Sequence, residues 1–467
     1  MTVAPPIAPI DVPVPAAARR PWLADRLPDL AVLCPLLWWA TSLMWGTGGR
    51  EPHLLTVMAL LLVIPLLVVR PWAVLPLPVY GLLTGIGVAA FGVVLTSPTG
   101  WHGAHDAAAY ACAGQLAAVT LAWAGTAARR QALAGLVVAA AGLELARGWL
   151  GWWGGQNVAR PFVGTFYWHN PAGIMLAAGA LLGAGLVMAR LPGLSALGWA
   201  VTPLCAAGTL FTTSRGSELA LAGGWVALLV VAVALPGRRL LRTARHVALA
   251  AAAVATAVLL TSRVFFPTGT RSGLAAAGAA TAARNQRENL GGNVDFRLEN
   301  WRRGWAVFGH WPLSGAGFHS FNSAAARVTD NPRDYHTAFA HNGFLQVLSD
   351  GGLLLGLPVL AALVLLTVGA GRAAVRAWRR RDVLMLAGVT TLAVLALHSA
   401  IDFDWSYPSL LLTFALVAPL AVDAPRPPSV VRHRWLAASV GAAVLVLAAV
   451  AAWHGGLHLN SPVGQVG

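Results

Sequence analysis

Apolar runs long enough to cross a bilayer recur from one end of this chain to the other, and no other feature restricts its fold as strongly. A helix needs about 20 mainly apolar residues to span the hydrocarbon core. Such runs lie at 29–47, 52–70, 73–96, 107–127, 131–152, 170–189, 193–212, 217–236, 246–265, 342–370, 383–400, 407–423 and 435–453. In lipid every backbone polar group has to be satisfied within the protein, which leaves helices or a closed barrel. A barrel would show short alternating segments instead. The 467 residues are 57% hydrophobic and 10% charged, against roughly 25% charged in a soluble chain. The expected fold is therefore an all-α, polytopic membrane bundle of 12–13 spans with one large extracytoplasmic loop. The organisation follows: a disordered tail over 1–28, nine spans over 29–265, the long loop over 266–341, three spans over 342–423, and a linker, a further apolar run and a tail over 424–467.

Every basic residue is an arginine, and the formal net charge is +15. With the N-terminus cytoplasmic, 19 of the 32 arginines fall inside, and most of the others lie in or beside the long loop. That bias is the positive-inside pattern. Much of the charge is thus topology, and no nucleic-acid partner is expected. Cys34, Cys112 and Cys205 sit in apolar runs and read as small core residues, not as a disulfide framework or a metal cluster. The opening "MTVAPPIAPIDVPVPAAARRPW" lacks the charged-then-apolar order of a signal peptide.

The stretch "AFAHNGFLQVLSDGGLLLG", Ala338 to Gly356, places polar groups where a span begins. Polar residues in a span are costly and need partners or a wet cavity. Asn342 suits a helix N-cap, so His341 is expected just outside the helix. The positive end of the helix dipole then favours a neutral imidazole, which is a plausible general base. The competing reading is an interfacial histidine that hydrogen-bonds the helix end. Asn342, Gln346 and Ser349 share a helix face, bordered by Asp350. They line a cavity or else glue helices together, with Gly352 and Gly356 allowing close packing. Asp350 is expected to find its partner on another span.

"FTTSRGSELALAGG" puts Arg215 and Glu218 at the start of another span, where they either pair or leave Arg215 to bind a phosphate. Arg160, His169 and Asn170 precede the span at 170–189. In the long loop, "RLENWRRGWAVFGHWPLSGAGFHSF" reads as a surface helix carrying Arg297, Arg302 and Arg303 among aromatics, with Trp301, Trp305 and Phe308 on one face, broken by Pro312, Gly315 and Gly317. These arginines, with Arg160 and Arg215, are expected to bind an anionic substrate; the alternative is headgroup binding. Asp402 and Asp404 in "IDFDWSYP" form a D-x-D that is too common a pattern to argue for a metal. No metal and no cofactor is expected.

"AHNGFLQVLSDGGLLLG", with the upstream loop and with "TTSRG", "WHNPAG" and "HSAIDFDWSYP", resembles the O-antigen ligase family, which includes lipid-linked glycan polymerases and bacterial O-oligosaccharyltransferases. The resemblance runs over residues 157–420. It implies an inner-membrane glycosyltransferase of a bacterium, with its site on the outer face. The donor would be a glycan on undecaprenyl diphosphate, and the acceptor a hydroxyl of a glycan, a lipid core or a protein. It also implies inverting, metal-independent chemistry, His341 as the essential histidine, and Arg215 as a diphosphate ligand. The chain departs from the family's pattern at Asp350, where glutamate is usual, and at Gly356, one residue late. A polymerase of the same family is the nearest alternative, and a glycan transporter or flippase is the alternative from another class.

Overall fold

The computed structural model describes residues 22–154, 162–235, 290–329, 337–423 and 434–459. The run expected to span at 246–265 and Arg160 lie outside these. Among the described residues the chain is a polytopic helical bundle without strands. Its helices are α1 Trp22–Trp38, α2 Pro52–Val69, α3 Pro71–Val74, α4 Leu77–Thr96, α5 Ala104–Trp123, α6 Ala127–Gly154, α7 His169–Ala189, α8 Leu194–Phe211 and α9 Arg215–Ala234. Then follow α10 Leu290–His310, α11 Phe321–Val328, α12 Gly343–Arg380, α13 Val383–Ser399, α14 Pro408–Ala421 and α15 Arg434–Leu459. Eight described helices are long and apolar enough to cross a membrane: α2 (with α3), α4, α6, α7, α8, α9, α12 and α15. α13 and α14 are shorter apolar helices.

Two helices form the centre. α7 packs on α6, α8, α9 and α13, and 94% of its apolar window is buried. α5 packs on α2, α4, α14 and α15. It carries His105, Asp106 and Gln115, which lower its hydropathy, yet almost all of it is buried. A helix covered by protein all round does not need a uniformly apolar surface, provided its polar groups find partners. Gln115 donates to Thr84 Oγ1 of α4 at 3.0 Å. The last apolar run is part of the bundle, since α15 packs on both α2 and α5.

The helix ends differ from expectation where backbone chemistry intervenes. The run at 73–96 breaks at Leu75, which is extended ahead of Pro76, so α3 and α4 are separate. α1 starts at Trp22 and winds into a π-turn over Trp39–Leu43. The largest difference is in α12. Its backbone leaves the helical region at Gly352 (φ 56°, ψ −151°). The segment from Gly343 to Gly351 is therefore a short helix of its own, and the charge-free run begins at Leu353. The polar residues 342–350 stand ahead of that run, which is why they are tolerated.

The broken backbone is satisfied by a distant loop. Leu353 and Leu354 donate to the carbonyls of Pro312 and Leu313 at 2.8 and 2.9 Å. In return, Ala316 and Gly317 donate to the carbonyls of Ser349 and Asp350, each at 2.9 Å. The "PLSGAG" turn after α10 and the "SDGG" break in α12 are thus one interlocked structure. Leu345 and Ser349 of the short helix also face Gly304 of α10, whose carbonyl accepts from Ser349 Oγ at 3.2 Å.

Loops at residues 44–51, 162–168, 337–342 and 400–407 meet at the His341 end of the bundle. At the opposite end Arg130, Arg190 and Arg381 line a cavity of about 490 Å³.

Candidate active site

His341 is held outside the helix by its own backbone. Asn342 caps α12, its side chain accepting from Leu345 N at 3.0 Å. The His341 carbonyl accepts from Trp301 Nε1 of α10 at 3.1 Å. Gln346 Oε1 accepts from Ala340 N at 2.7 Å. These three anchors hold His341 at φ 51°, a conformation uncommon for histidine. The ring is wedged edge-on between Phe296 of α10 and Phe403, at 5.3 and 4.8 Å between centroids.

The imidazole meets two charged groups. Its Nδ1 is buried and 3.8 Å from Asp402 Oδ1, and Arg297 Nη2 is 3.8 Å from Asp402 Oδ2. Burial, and then the Arg297 charge, push the His341 imidazole down to about 4. A ring shifted this far is neutral at ordinary pH. Burial raises the Asp402 carboxyl above the usual range.

Asp402 is fixed by a ring of hydrogen bonds through three helices. Asn170 Nδ2, at the start of α7, donates to its Oδ2, and Phe403 N donates to Oδ1 at 2.9 Å. Ser217 Oγ of α9 donates to the Asn170 carbonyl at 3.2 Å and lies 3.2 Å from His398 Nε2. His398 Nδ1 is 2.7 Å from Asp404 Oδ2, which also accepts from Ser399 Oγ at 3.1 Å. The D-x-D carboxylates thus point to different protein partners. Among the described residues no group of three or more His, Cys, Asp or Glu side chains is placed to hold a metal.

The expected anion site divides. Arg297 joins His341. Arg303 and Arg302 both bond Glu299, at 2.8 Å through their Nε atoms, and these bonds pull the Glu299 carboxyl down to about 2. Arg302 faces solvent, whereas Arg303 is buried. Arg215 opens α9 within electrostatic reach of Glu218 and one residue before Gly216, which lies against His398. Trp301 turns inward and Trp305 is exposed.

The side chains of Asn342, Gln346 and Asp350 are engaged within the protein. Gln346 and Asp350 are buried, and Gln346 Nε2 donates to Asp350 Oδ1 at 2.9 Å. Asp350 thus finds a partner on its own helix, where one on another span was expected. An i, i+4 amide–carboxylate pair satisfies both groups without help from another helix. Through Gln346 and Asn342 this helix face also bonds the backbone on either side of His341.

Beside the site runs an apolar groove between α4, α12 and α14, about 320 Å³ in volume and lined by residues such as Leu83, Ile86, Leu363 and Phe414. Trp405 lies on its wall and packs edge-on against Phe344, so the groove reaches the His341 loop.

Asn170 and Phe403, which bond Asp402, carry no local sequence signal of that contact. A protein-family model described as O-antigen ligase matches residues 200–360. Among curated proteins none matches the chain. The matched residues include α9 with Arg215, α10 with Arg297 and the start of α12 with His341, so this stretch, about a third of the chain, is similar to the O-antigen ligase family.

Proposed function

We propose that this multi-pass membrane protein transfers a glycan from undecaprenyl diphosphate to an acceptor hydroxyl, with His341 as general base. The observation that carries this reading is the neutral His341 ring beside Asp402 and Arg297, with an apolar groove whose wall residue Trp405 packs on Phe344 of the same helix start. The acceptor hydroxyl gives its proton to the imidazole as its oxygen attacks C1 of the donor sugar. The bond from C1 to the diphosphate oxygen breaks on the opposite face, and its electron pair leaves with the diphosphate. C1 is inverted. Asp402 stabilises the imidazolium as it forms, and Arg297 and Arg215 stabilise the departing charge. The groove takes the prenyl tail, and the site faces the outside of a bacterial inner membrane.

The arginines separate by experiment. Arg297→Ala is expected to slow transfer at least about tenfold, because it removes a cation at the reacting centre. Arg302→Ala is expected to slow it less than about threefold, because an exposed, paired arginine contributes little. Initial transfer rates in membranes check both.

A pH profile tests the base directly. An ordinary histidine protonates below about 6.5. His341 stays neutral to about 4, so no histidine limb should appear at about 6.5; the rate should fall by up to about tenfold as the raised Asp402 carboxyl protonates, and fully only as pH approaches 4. Stability has the same sign. Unfolded His341 binds a proton below about 6.5 and the folded residue does not, so this residue destabilises the fold as pH drops through that window.

Membranes containing the protein, given donor and acceptor, should form the covalent glycan product and release undecaprenyl diphosphate in equal amounts; a folded protein that forms none sinks the proposal. Glycan length separates the neighbouring reading: loss of long chains with single units still attached to the final acceptor indicates a polymerase. A transporter would be expected to hold a carboxylate within a span; Asp350 lies ahead of the break at Gly352 and bonds Gln346, which supports the transferase reading over transport.

A further inference from the structure

Arg50 ends a turn built against its own preferences. Thr47, Gly48 and Gly49 are successive residues in the left-handed region (φ 52°, 69° and 88°). A Cβ on Gly48 would lie 2.5 Å from Phe166 and 2.7 Å from Tyr407, so only glycine fits there. The Gly48 carbonyl accepts from Ser409 N at 3.0 Å and from Ser409 Oγ at 2.7 Å, which fastens the turn to the start of α14. Strain that is held so firmly marks a group kept in one place.

The group is the Arg50 guanidinium. Its central carbon lies 4.5 Å from the Tyr167 ring centre, 4.7 Å from Tyr407 and 5.3 Å from Phe339. Its Nε and Nη2 are buried and have no hydrogen-bond partner among the described residues. Aromatic faces stabilise the charge, but they do not satisfy all the N–H donors of the planar fork. Buried donors left unpaired are costly and rare, and they call for an acceptor. Asp106 of α5, whose charge reaches Arg50, already pairs with His319 at 2.6 Å. Two stacked rings connect the cage to the candidate base: Phe339 lies on Phe403 at 4.3 Å, and Phe403 packs on His341.

We propose that Arg50 is an oxyanion-binding residue of this site, taking a phosphate of the lipid-linked donor or a carboxylate of an acidic sugar on its two buried N–H groups. The inference rests on the transferase reading above. A flat guanidinium between rings is preorganised for a two-point contact with either oxyanion, which lysine cannot reproduce.

The test is ligand binding to the purified full-length protein in detergent, with undecaprenyl diphosphate, undecaprenol and glucuronate as probes. Arg50→Gln should weaken diphosphate binding at least about tenfold, the worth of a charge-assisted contact, and leave undecaprenol binding unchanged; Arg50→Lys should recover only part. Weakened glucuronate binding with diphosphate intact supports the same role with the sugar carboxylate as its source. Tyr167→Leu alters an exposed wall of the cage and covers the case in which Arg50→Gln does not fold; it should weaken the same ligand about threefold. Folded variants that bind both anions as tightly as the wild type overturn the proposal. If the wild type still transfers glycan in that case, the Arg50 assignment alone fails. If the wild type binds neither anion and transfers nothing, the transferase reading fails with it.

Discussion

Gly352→Ala is expected to destabilise the protein by roughly 3 kcal/mol or more, placing it among the severe single substitutions. A Cβ at this position would lie 2.5 Å from the Leu313 carbonyl oxygen and 2.6 Å from Gly315 N, and φ 56° is already unfavourable for alanine. The clash is with backbone, so no side chain can swing away. Relief would separate the 312–317 turn from α12 and forfeit four hydrogen bonds, each worth about 1 kcal/mol. Gly315→Ala should behave alike, because its Cβ would sit 2.2 Å from the Asp350 carbonyl oxygen. Gly371→Ala is the control: it lies in the same helix, nothing approaches within 4 Å, and it should be neutral or slightly stabilising. Thermal unfolding in detergent checks the set, with a fall of several degrees for Gly352→Ala and none for Gly371→Ala. A Gly352→Ala variant as stable as the wild type would mean that the helix does not break there.

His341→Ala carries the largest expected effect on rate, at least about 100-fold, as removal of a general base requires. Asp402→Asn should cost about tenfold, because the amide keeps the hydrogen bond from Phe403 N and loses the charge that supports the imidazolium. The pattern of the pair is more telling than either value. Asp402 acts through His341, so the double variant should be no slower than His341→Ala alone. Multiplying effects would mean that the two residues act separately, against the geometry that sets them 3.8 Å apart. Transfer rates of membranes with matched protein levels give all three numbers.

What could be read in advance follows from the range of the interactions. Spans are local patterns, so the apolar runs among the described residues translate into helices, and Asn342 marks the start of α12 because a cap is also local. The break at Gly352 was out of reach. Pro312, Gly315 and Gly317 signal a turn and Gly352 a close contact, but no local rule joins segments so far apart in sequence. The same holds for Arg50, whose cage is assembled from Tyr167, Phe339 and Tyr407 on three separate loops. Arg302 and Arg303 show the opposite failure. Sequence places them beside Arg297, but helix geometry turns them toward Glu299 one turn earlier. Asp402 sits in a D-x-D too common to carry a signal of its own, and only the fold brings Asn170, the Phe403 amide and His341 around its carboxylate.

The central claim is that chemistry occurs at His341 and needs no gradient. The direct measurement uses purified protein in detergent with an undecaprenyl-diphosphate-linked glycan and an acceptor glycan, comparing the wild type with His341→Ala. The account predicts steady formation of the joined glycan by the wild type. It predicts a rate at least about 100-fold lower in a variant that still binds the donor and unfolds at the same temperature. Equal rates from the two proteins, or no product from a folded wild type that binds both substrates, would contradict it.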